Sequence, residues 1–478
     1  MSKCQSNFIN PKRALYKNQN VVEFNRDLKE EDKPDLIYDD EMDKYKAEFF
    51  IEHFEKNGIL FKQCNDVLYH YIEKDGCYKP IKQNEERACI NQYISPKVRR
   101  VINTAITDEV IKRIKSNPDL KIEQTDFNRD QYLINVKNGV LNVKTYKLEE
   151  HSPNYCFNYV LNVEFKEGMR LEDCPILKIF YETSLDGNKE KLKLLLQLIG
   201  YSCSNITSGK VAFFLIGPPH SGKSLVISLL GEIVGIDNYS SLYLHQLSDR
   251  FAIAKLSEVR VNLASEIRNT KIKNLQTFKS ITGNDFIEAE FKGKDMFKFR
   301  AQARLIFAGN SLPFISEEEV TSAFVDRLVV LRFIKSIPKE KWDTELLNKL
   351  IAEKNIIFSL AVLTLNELIN NNYQFAKPQD CQAFLDDYRD ELETADSFIE
   401  NCCVLDPDSK VHKNILYAAY VKYCNDNCVS NCYDSDVFSK KIEGREGIEK
   451  TRFRQNGNPL AGFKGIGFKL NHSNEDLD

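Results

Sequence analysis

The stretch "VAFFLIGPPHSGKS", residues 211–224, constrains this chain more than any other feature of its sequence. Its apolar run ends at Ile216 and reads as a strand buried on both faces, the kind found in parallel sheets covered by helices. Gly217 to Ser224 then fit the pattern G-x-x-x-x-G-K-[ST]. Such glycines let backbone N–H groups close round a phosphate, the lysine ammonium sits among phosphate oxygens, and the serine hydroxyl is offered to Mg2+. Leu225, Val226, Leu229, Leu230, Ile233 and Val234 follow at helical spacing, so the loop is expected to open a helix whose N-terminus faces the phosphates. Gly217, Pro218, Pro219, His220, Ser221, Gly222, Lys223 and Ser224 are therefore candidate nucleotide contacts; the alternative is a plain glycine–proline turn.

Hydrolysis needs more than a cradle. In "EVRVNLASEI" a second strand, less uniformly apolar, ends at Glu266, the candidate base for an attacking water and a further candidate metal ligand beside Ser224. Ser265 stands where a metal-holding aspartate is often found. A third strand, "ARLIFAGN", ends in Asn310, whose amide is placed to orient water or simply to cap a turn. In "SAFVDRLVVLRF", Arg327 follows a short helix and precedes an apolar strand. It is either an arginine finger that supplies charge to a neighbouring subunit's nucleotide or a partner of Asp326 or a nearby glutamate.

Composition bounds the rest. With 28% charged and 42% hydrophobic residues the 478-residue chain reads as globular, and its length suggests two to four domains. No apolar run approaches the roughly 18 residues that cross a bilayer, and the N-terminus lacks a secretory pattern, so a cytoplasmic protein with no membrane association is expected. Thirteen cysteines, an odd number, are expected to be free thiols, and Cys424, Cys428 and Cys432 lack the paired spacing of zinc sites. The net charge of −4 argues against nucleic-acid binding by the whole surface. Residues 440–470 are locally basic, with Lys440, Lys441, Arg445, Lys450, Arg452, Arg454, Lys464 and Lys469 against Glu443, Glu446 and Glu449.

Periodicity divides the chain into four parts: a mostly helical region 1–120 of unassigned role, an α/β segment 121–204, a strand–helix alternation 205–372, and a C-terminal part 380–472. In the second part Asn138-Gly139 signals a hairpin. In the last, helices precede basic-aromatic strands around Asn456-Gly457, which reads as a winged-helix module.

The phosphate loop, the strands ending at Glu266 and Asn310, and Arg327 together resemble a superfamily 3 helicase of the AAA+ class. The resemblance is greatest to the phage and plasmid primase-helicase type related to the poxvirus primase-helicase. It spans about residues 125–470, because the segment before the motor and the C-terminal module also look like that type. It implies an α/β AAA+ P-loop ATPase core with an α/β N-terminal region and a C-terminal winged helix. It further implies ATP and Mg2+ as cofactors, a homo-hexameric ring, and 3′ to 5′ travel on single-stranded DNA. Between Glu266 and Asn310 the family carries a pore hairpin that contacts DNA; here "FKGKDMF" occupies the place, with Lys292 and Lys294 at its tip and Phe291 and Phe297 beside them. A solvated hairpin whose phenylalanines are core is the alternative. Lys279 is a second candidate phosphate-facing charge.

Two departures stand out: Ser265 replaces an acid, and the N-terminal region lacks a paired-aspartate pattern, so primase activity is not expected. The leading expectation is an ATP-dependent replicative DNA helicase of a mobile element, with host or element replication proteins as further partners. Arg445, Lys450, Arg452 and Arg454 would hold duplex or origin DNA, or else form a solvated basic face. An origin-binding initiator that uses ATP for assembly and melting is the alternative. A small-molecule kinase shares only the phosphate loop.

Overall fold

The computed structural model describes residues 47–94, 96–100, 102–267, 275–293, 295–313, 315, 324–392, 394–427, 432–454 and 459–469. The chain divides into two compact units, residues 1–164 and 165–478.

In the first unit, helix α1 (Ala47–Lys56) buries Ala47, Phe50 and Phe54 along one stripe. The region expected to be mostly helical also holds a three-stranded antiparallel sheet: β1 (Phe61–Cys64), β2 (Val67–Ile72) and β3 (Cys77–Ile81). Helices α2 (Glu86–Asn91), α3 (Pro96–Arg99) and α4 (Thr104–Ser116) follow. Asn103 caps α4 by accepting the Ala105 N–H, and the helix buries Val110, Ile111 and Ile114 against Phe50, Phe54, Phe61 and Leu68.

His70 lies inside that core, 6% exposed, with its Nε2 2.6 Å from the Tyr93 hydroxyl. Burial pushes its pKa down to about 4. Above pH 6.5 the ring is neutral folded or unfolded and has no pH effect. As pH falls from 6.5 toward 4, the unfolded chain takes up a proton that the folded chain refuses, so stability drops by up to about 3 kcal/mol. Thermal unfolding of wild type and His70→Gln, compared at pH 7.5 and 4.5, should show a smaller acid loss in the variant. Equal losses would contradict this.

A second sheet is formed by β4 (Leu133–Val136), β5 (Gly139–Asn142) and β6 (Leu148–Glu149). The expected hairpin is present, but its turn is shifted by one residue. Val136 pairs with Gly139, so Lys137 and Asn138 form the loop and Gly139 begins the strand at φ +145°. A side chain at Gly139 would strike the Glu149 carbonyl and approach Leu148 to 3.1 Å, so this glycine serves the close approach of β6 rather than the turn.

The second unit is built on a five-stranded, wholly parallel sheet. Helices α5 (Pro175–Ser184) and α6 (Lys189–Cys203) lead into β7 (Ala212–Ile216), all five of whose residues are buried. Helix α7 (Lys223–Val234) and β8 (Tyr239–Ser240) follow, then α8 (Arg250–Ile253), β9 (Val261–Ala264) and α9 (Gln276–Gly283). Next come the hairpin β10 (Phe286–Glu290) and β11 (Met296–Arg300), then β12 (Arg304–Gly309) and β13 (Leu328–Arg332). The sheet order is β13-β7-β12-β9-β8. Phe214 and Phe307 meet at 5.3 Å between ring centroids in its core, and Phe278 and Phe324 join the same cluster.

Helices α10 (Leu346–Ala352), α11 (Lys354–Asn370) and α12 (Gln379–Leu392) come next. Gly200 of α6 lets α11 approach closely: a Cβ there would lie 2.5 Å from the Ala361 carbonyl oxygen. The C-terminal part holds α13 (Thr394–Cys402), β14 (Cys403–Val404), β15 (Lys410–His412), α14 (Lys413–Asp426) and α15 (Ser435–Glu443). It closes with β16 (Glu449–Arg454), β17 (Pro459–Lys464) and β18 (Gly467–Phe468). Its core gathers Phe398, Leu416, Tyr420, Phe438, Ile442 and Phe463. The turn expected at Asn456-Gly457 lies outside the described residues. Among the described residues no helix is long and apolar enough to cross a membrane.

Candidate functional site

In a parallel sheet every strand delivers its C-terminal end to the same edge, where ligands of open α/β sheets bind. Here β7, β12 and β9 are neighbours, and their ends carry the phosphate-loop residues, Asn310 and Glu266. The register aligns them closely. Ile216 is level with Gly309, so Gly217 stands beside Asn310, and the Gly217 N–H donates to the Gly309 carbonyl at 3.2 Å. Ala264 is level with Phe307, which puts Glu266 level with Gly309. Two strand spacings, about 10 Å, separate the β9 and β7 backbones. Ser224, Ser265, Glu266 and Asn310 are all exposed at this edge.

The loop itself is tightly held. Lys223 is 9% exposed, and its ammonium donates to the Gly217 and Pro218 carbonyls, both at 2.6 Å, and to the Ser221 hydroxyl at 3.3 Å. Burial lowers its pKa from the usual lysine value. Gly222 enters α7 at φ +106°, and His220 takes a left-handed φ of +60°. A Cβ on Gly222 would lie 2.7 Å from the Ser184 hydroxyl, so α5 closes one side of the loop.

A strap after β13, residues 333–342, closes another side, and sequence reasoning missed it. The Phe333 N–H donates to Ile216 O (2.7 Å), the Ser336 hydroxyl to Pro219 O (2.8 Å) and the Ile337 N–H to His220 O (3.0 Å). The indole of Trp342, the chain's single tryptophan, lies 4.5 Å from the His220 ring and donates to Ile337 O. Lys335 pairs with Asp186 in the turn after α5. Most of these ties use backbone groups, so no periodicity announces them; the lone tryptophan was the one available signal.

Arg327 does not join the cluster. Its carbonyl accepts the Ala212 N–H at the start of β7, while the phosphate loop begins where β7 ends. Five residues of strand put about 16 Å between those ends. Asp326 is paired, but with Arg389 at 3.2 Å rather than with Arg327.

The hairpin β10–β11 is present, with Glu290 opposite Met296 and residues 291–295 between them. Lys292 is exposed at its tip; Lys294 lies outside the described residues. Phe291 and Phe297 stack at 5.1 Å and pack against the core, so they anchor the hairpin rather than line its tip. Lys279 is half-buried on α9.

In the C-terminal part, Lys450, Arg452 and Arg454 alternate along β16 on its exposed face, and Phe453, between the two arginines, stacks on His412 at 4.0 Å. Lys450 pairs with Glu443 at 2.5 Å. Arg445 is separate from this row: its guanidinium pairs with Asp396 of α13, and burial lowers its pKa. Cys424 is buried and Cys432 exposed, while Cys428 lies outside the described residues. Among the described residues no group of three His, Cys, Asp or Glu side chains is placed to hold a metal ion.

Residues 47–185 match a family model described as "D5 N terminal like", a span that crosses the boundary drawn at residue 120. Residues 215–327 match a family of unknown function, DUF5906, whose span runs from β7 to Arg327. Among solved structures the chain is similar to the A form apo structure of the NrS-1 C-terminal region, with 11% identity, a TM-score of 0.47, and coverage of 88% of this chain and 99% of that one. An apo structure of the same region, residues 305–718, gives 13% identity, a TM-score of 0.47 and coverage of 88% and 99%.

Proposed function

We propose that the chain is an ATP-dependent DNA helicase of replication, working as a ring of identical subunits. The convergence of the phosphate loop, Asn310 and Glu266 at one sheet edge, with Arg327 at the opposite edge, carries this reading. That division gives each nucleotide three groups from its own subunit and leaves Arg327, half-buried at the start of β13, to act on the nucleotide of the next. The D5 N terminal like match in the region before the motor supports the same assignment.

The loop N–H groups and the N-terminus of α7 receive the phosphates, and Lys223 compensates their charge. Ser224 and Glu266 are exposed hard oxygen donors at the same edge, a set that suits Mg2+. Bound there, the ion would draw charge from the transferring phosphoryl oxygens. The Glu266 carboxylate takes the proton of the attacking water, and the Asn310 amide orients that water. Arg327 of a neighbouring copy stabilises the charge that develops in the transition state. The Lys292 hairpin carries each stroke to single-stranded DNA through its phosphates, and the expected direction is 3′ to 5′.

The test is ATP-dependent unwinding of forked DNA with a 3′ single-stranded tail, wild type beside Lys292→Ala/Lys294→Ala. Wild type should unwind it and the variant should not. Hydrolysis by wild type without unwinding would favour the initiator reading, in which ATP serves assembly and origin melting. The exposed row Lys450, Arg452 and Arg454 supports that alternative, since it offers duplex DNA a surface away from the hairpin.

The C-terminal arginines separate by role. Arg452→Ala and Arg454→Ala should each weaken binding to duplex DNA and reduce the slope of log affinity against log salt by about one. Arg445→Ala should leave that slope unchanged and cost about 1 kcal/mol of stability through loss of the Asp396 pair. Equal salt slopes for wild type and the Arg452 variant would contradict the assignment.

A further inference from the structure

We propose that α12 is the link through which DNA held on the C-terminal module sets the position of Arg327, with Tyr388 and Arg389 as positioning residues. This rests on the motor reading above.

The helix runs alongside β13 from one sheet edge to the other. Near its start, the Arg332 N–H meets Cys381 Sγ at 3.3 Å, and the Arg332 guanidinium lies 4.9 Å from the centre of the Phe384 ring. Near its end, the Tyr388 hydroxyl, buried with its residue 9% exposed, donates to the Pro313 carbonyl at 2.6 Å. One residue on, Arg389 holds Asp326, the immediate neighbour of Arg327. Tyr388 and Leu392 share a core cluster with Phe324 and Val325, the two residues before Asp326. The last turns of α12 therefore grip the Arg327 turn from inside and outside.

The same helix ends within the C-terminal module. The Leu392 carbonyl accepts the Tyr433 hydroxyl, and the Thr394 and Tyr420 hydroxyls meet at 2.6 Å. Tyr420 also accepts the Tyr433 N–H at 3.0 Å, and it stacks on Phe438 in the module's core. A 14-residue helix is a rod about 21 Å long, so a displacement at Leu392 is passed to residues 388–389 with little loss. An arginine that stabilises transition-state charge is sensitive to such displacements, because its contribution depends on placement.

The full-length chain tests this through ATP hydrolysis with and without duplex DNA. Arg389→Ala and Asp326→Asn should each lower kcat about fivefold at unchanged KM, and the double variant should be no worse than either. Tyr433→Phe should hydrolyse ATP as wild type does without DNA and bind duplex DNA as tightly, yet show at least about a threefold smaller response of kcat to that DNA. A purely structural role would lower the unfolding temperature and leave the DNA response intact. A wild-type response in Tyr433→Phe, or a raised KM at constant kcat in Arg389→Ala, overturns the link while the motor reading stands. Wild-type protein that hydrolyses no ATP under any condition overturns both.

Discussion

Lys223→Met should lower ATP hydrolysis by about a thousandfold, equivalent to about 4 kcal/mol of transition-state stabilisation. Methionine keeps the apolar stem of the side chain and removes its charge. The ammonium sits among the Gly217 and Pro218 carbonyls and the Ser221 hydroxyl, at the N-terminus of α7. No other cation of the described loop occupies that place, since Gly217 to Gly222 contribute backbone and neutral side chains apart from His220. The folded state loses one buried donor serving two carbonyls, a cost of about 1–3 kcal/mol, which leaves the unit folded. The variant should also lose the rise in unfolding temperature that ATP gives wild type. Hydrolysis within threefold of wild type would remove the phosphate loop from the mechanism.

Phe214→Ala should destabilise the second unit by about 4 kcal/mol. Phe214 is fully buried in β7, with Phe307 at 5.3 Å and Phe324 at 6.5 Å between ring centroids. Its neighbours belong to β12 and to the Arg327 turn, so the cavity left by the ring would be bordered by backbone that cannot collapse without moving Asn310 or Arg327. Denaturant unfolding should show the loss in one transition while that of the first unit keeps its midpoint. Phe214→Leu, which refills most of the space, should cost about 1 kcal/mol. Equal effects for the two substitutions would mean the site repacks freely and does not hold β7, β12 and the Arg327 turn in register.

The parts of the fold legible in the sequence were those in which burial is continuous. β7, β12 and β13 are apolar runs between turn signals, and α7 and the C-terminal helices carry clear helical spacing. The first unit's three-stranded sheet was not legible, because Gln63 and His70 point inward at 7% and 6% exposure and break the alternation that marks a strand. The Asn138-Gly139 signal points one residue past the actual loop because the demand on that glycine comes from β6, a third strand that a two-strand pattern does not include.

At the candidate site, the motifs nominate residues but do not encode their grouping. Asn310 and Glu266 follow strands parallel to β7 and so reach the end where the phosphate loop begins, while Arg327 precedes β13, the other neighbour of β7, and stands at the opposite end; which strands lie side by side is set by the sheet and not by any spacing between motifs. The Arg445–Asp396 pair joins residues 49 positions apart, so Arg445 looked like part of a basic surface until the fold brought its carboxylate to it.

The most direct test of the central claim is ATP hydrolysis by the full chain, measured with and without single-stranded DNA. The account predicts measurable hydrolysis that rises with single-stranded DNA and falls to background in Glu266→Gln. Hydrolysis indifferent to DNA, or undiminished in Glu266→Gln, would contradict a DNA-driven motor built on this sheet edge.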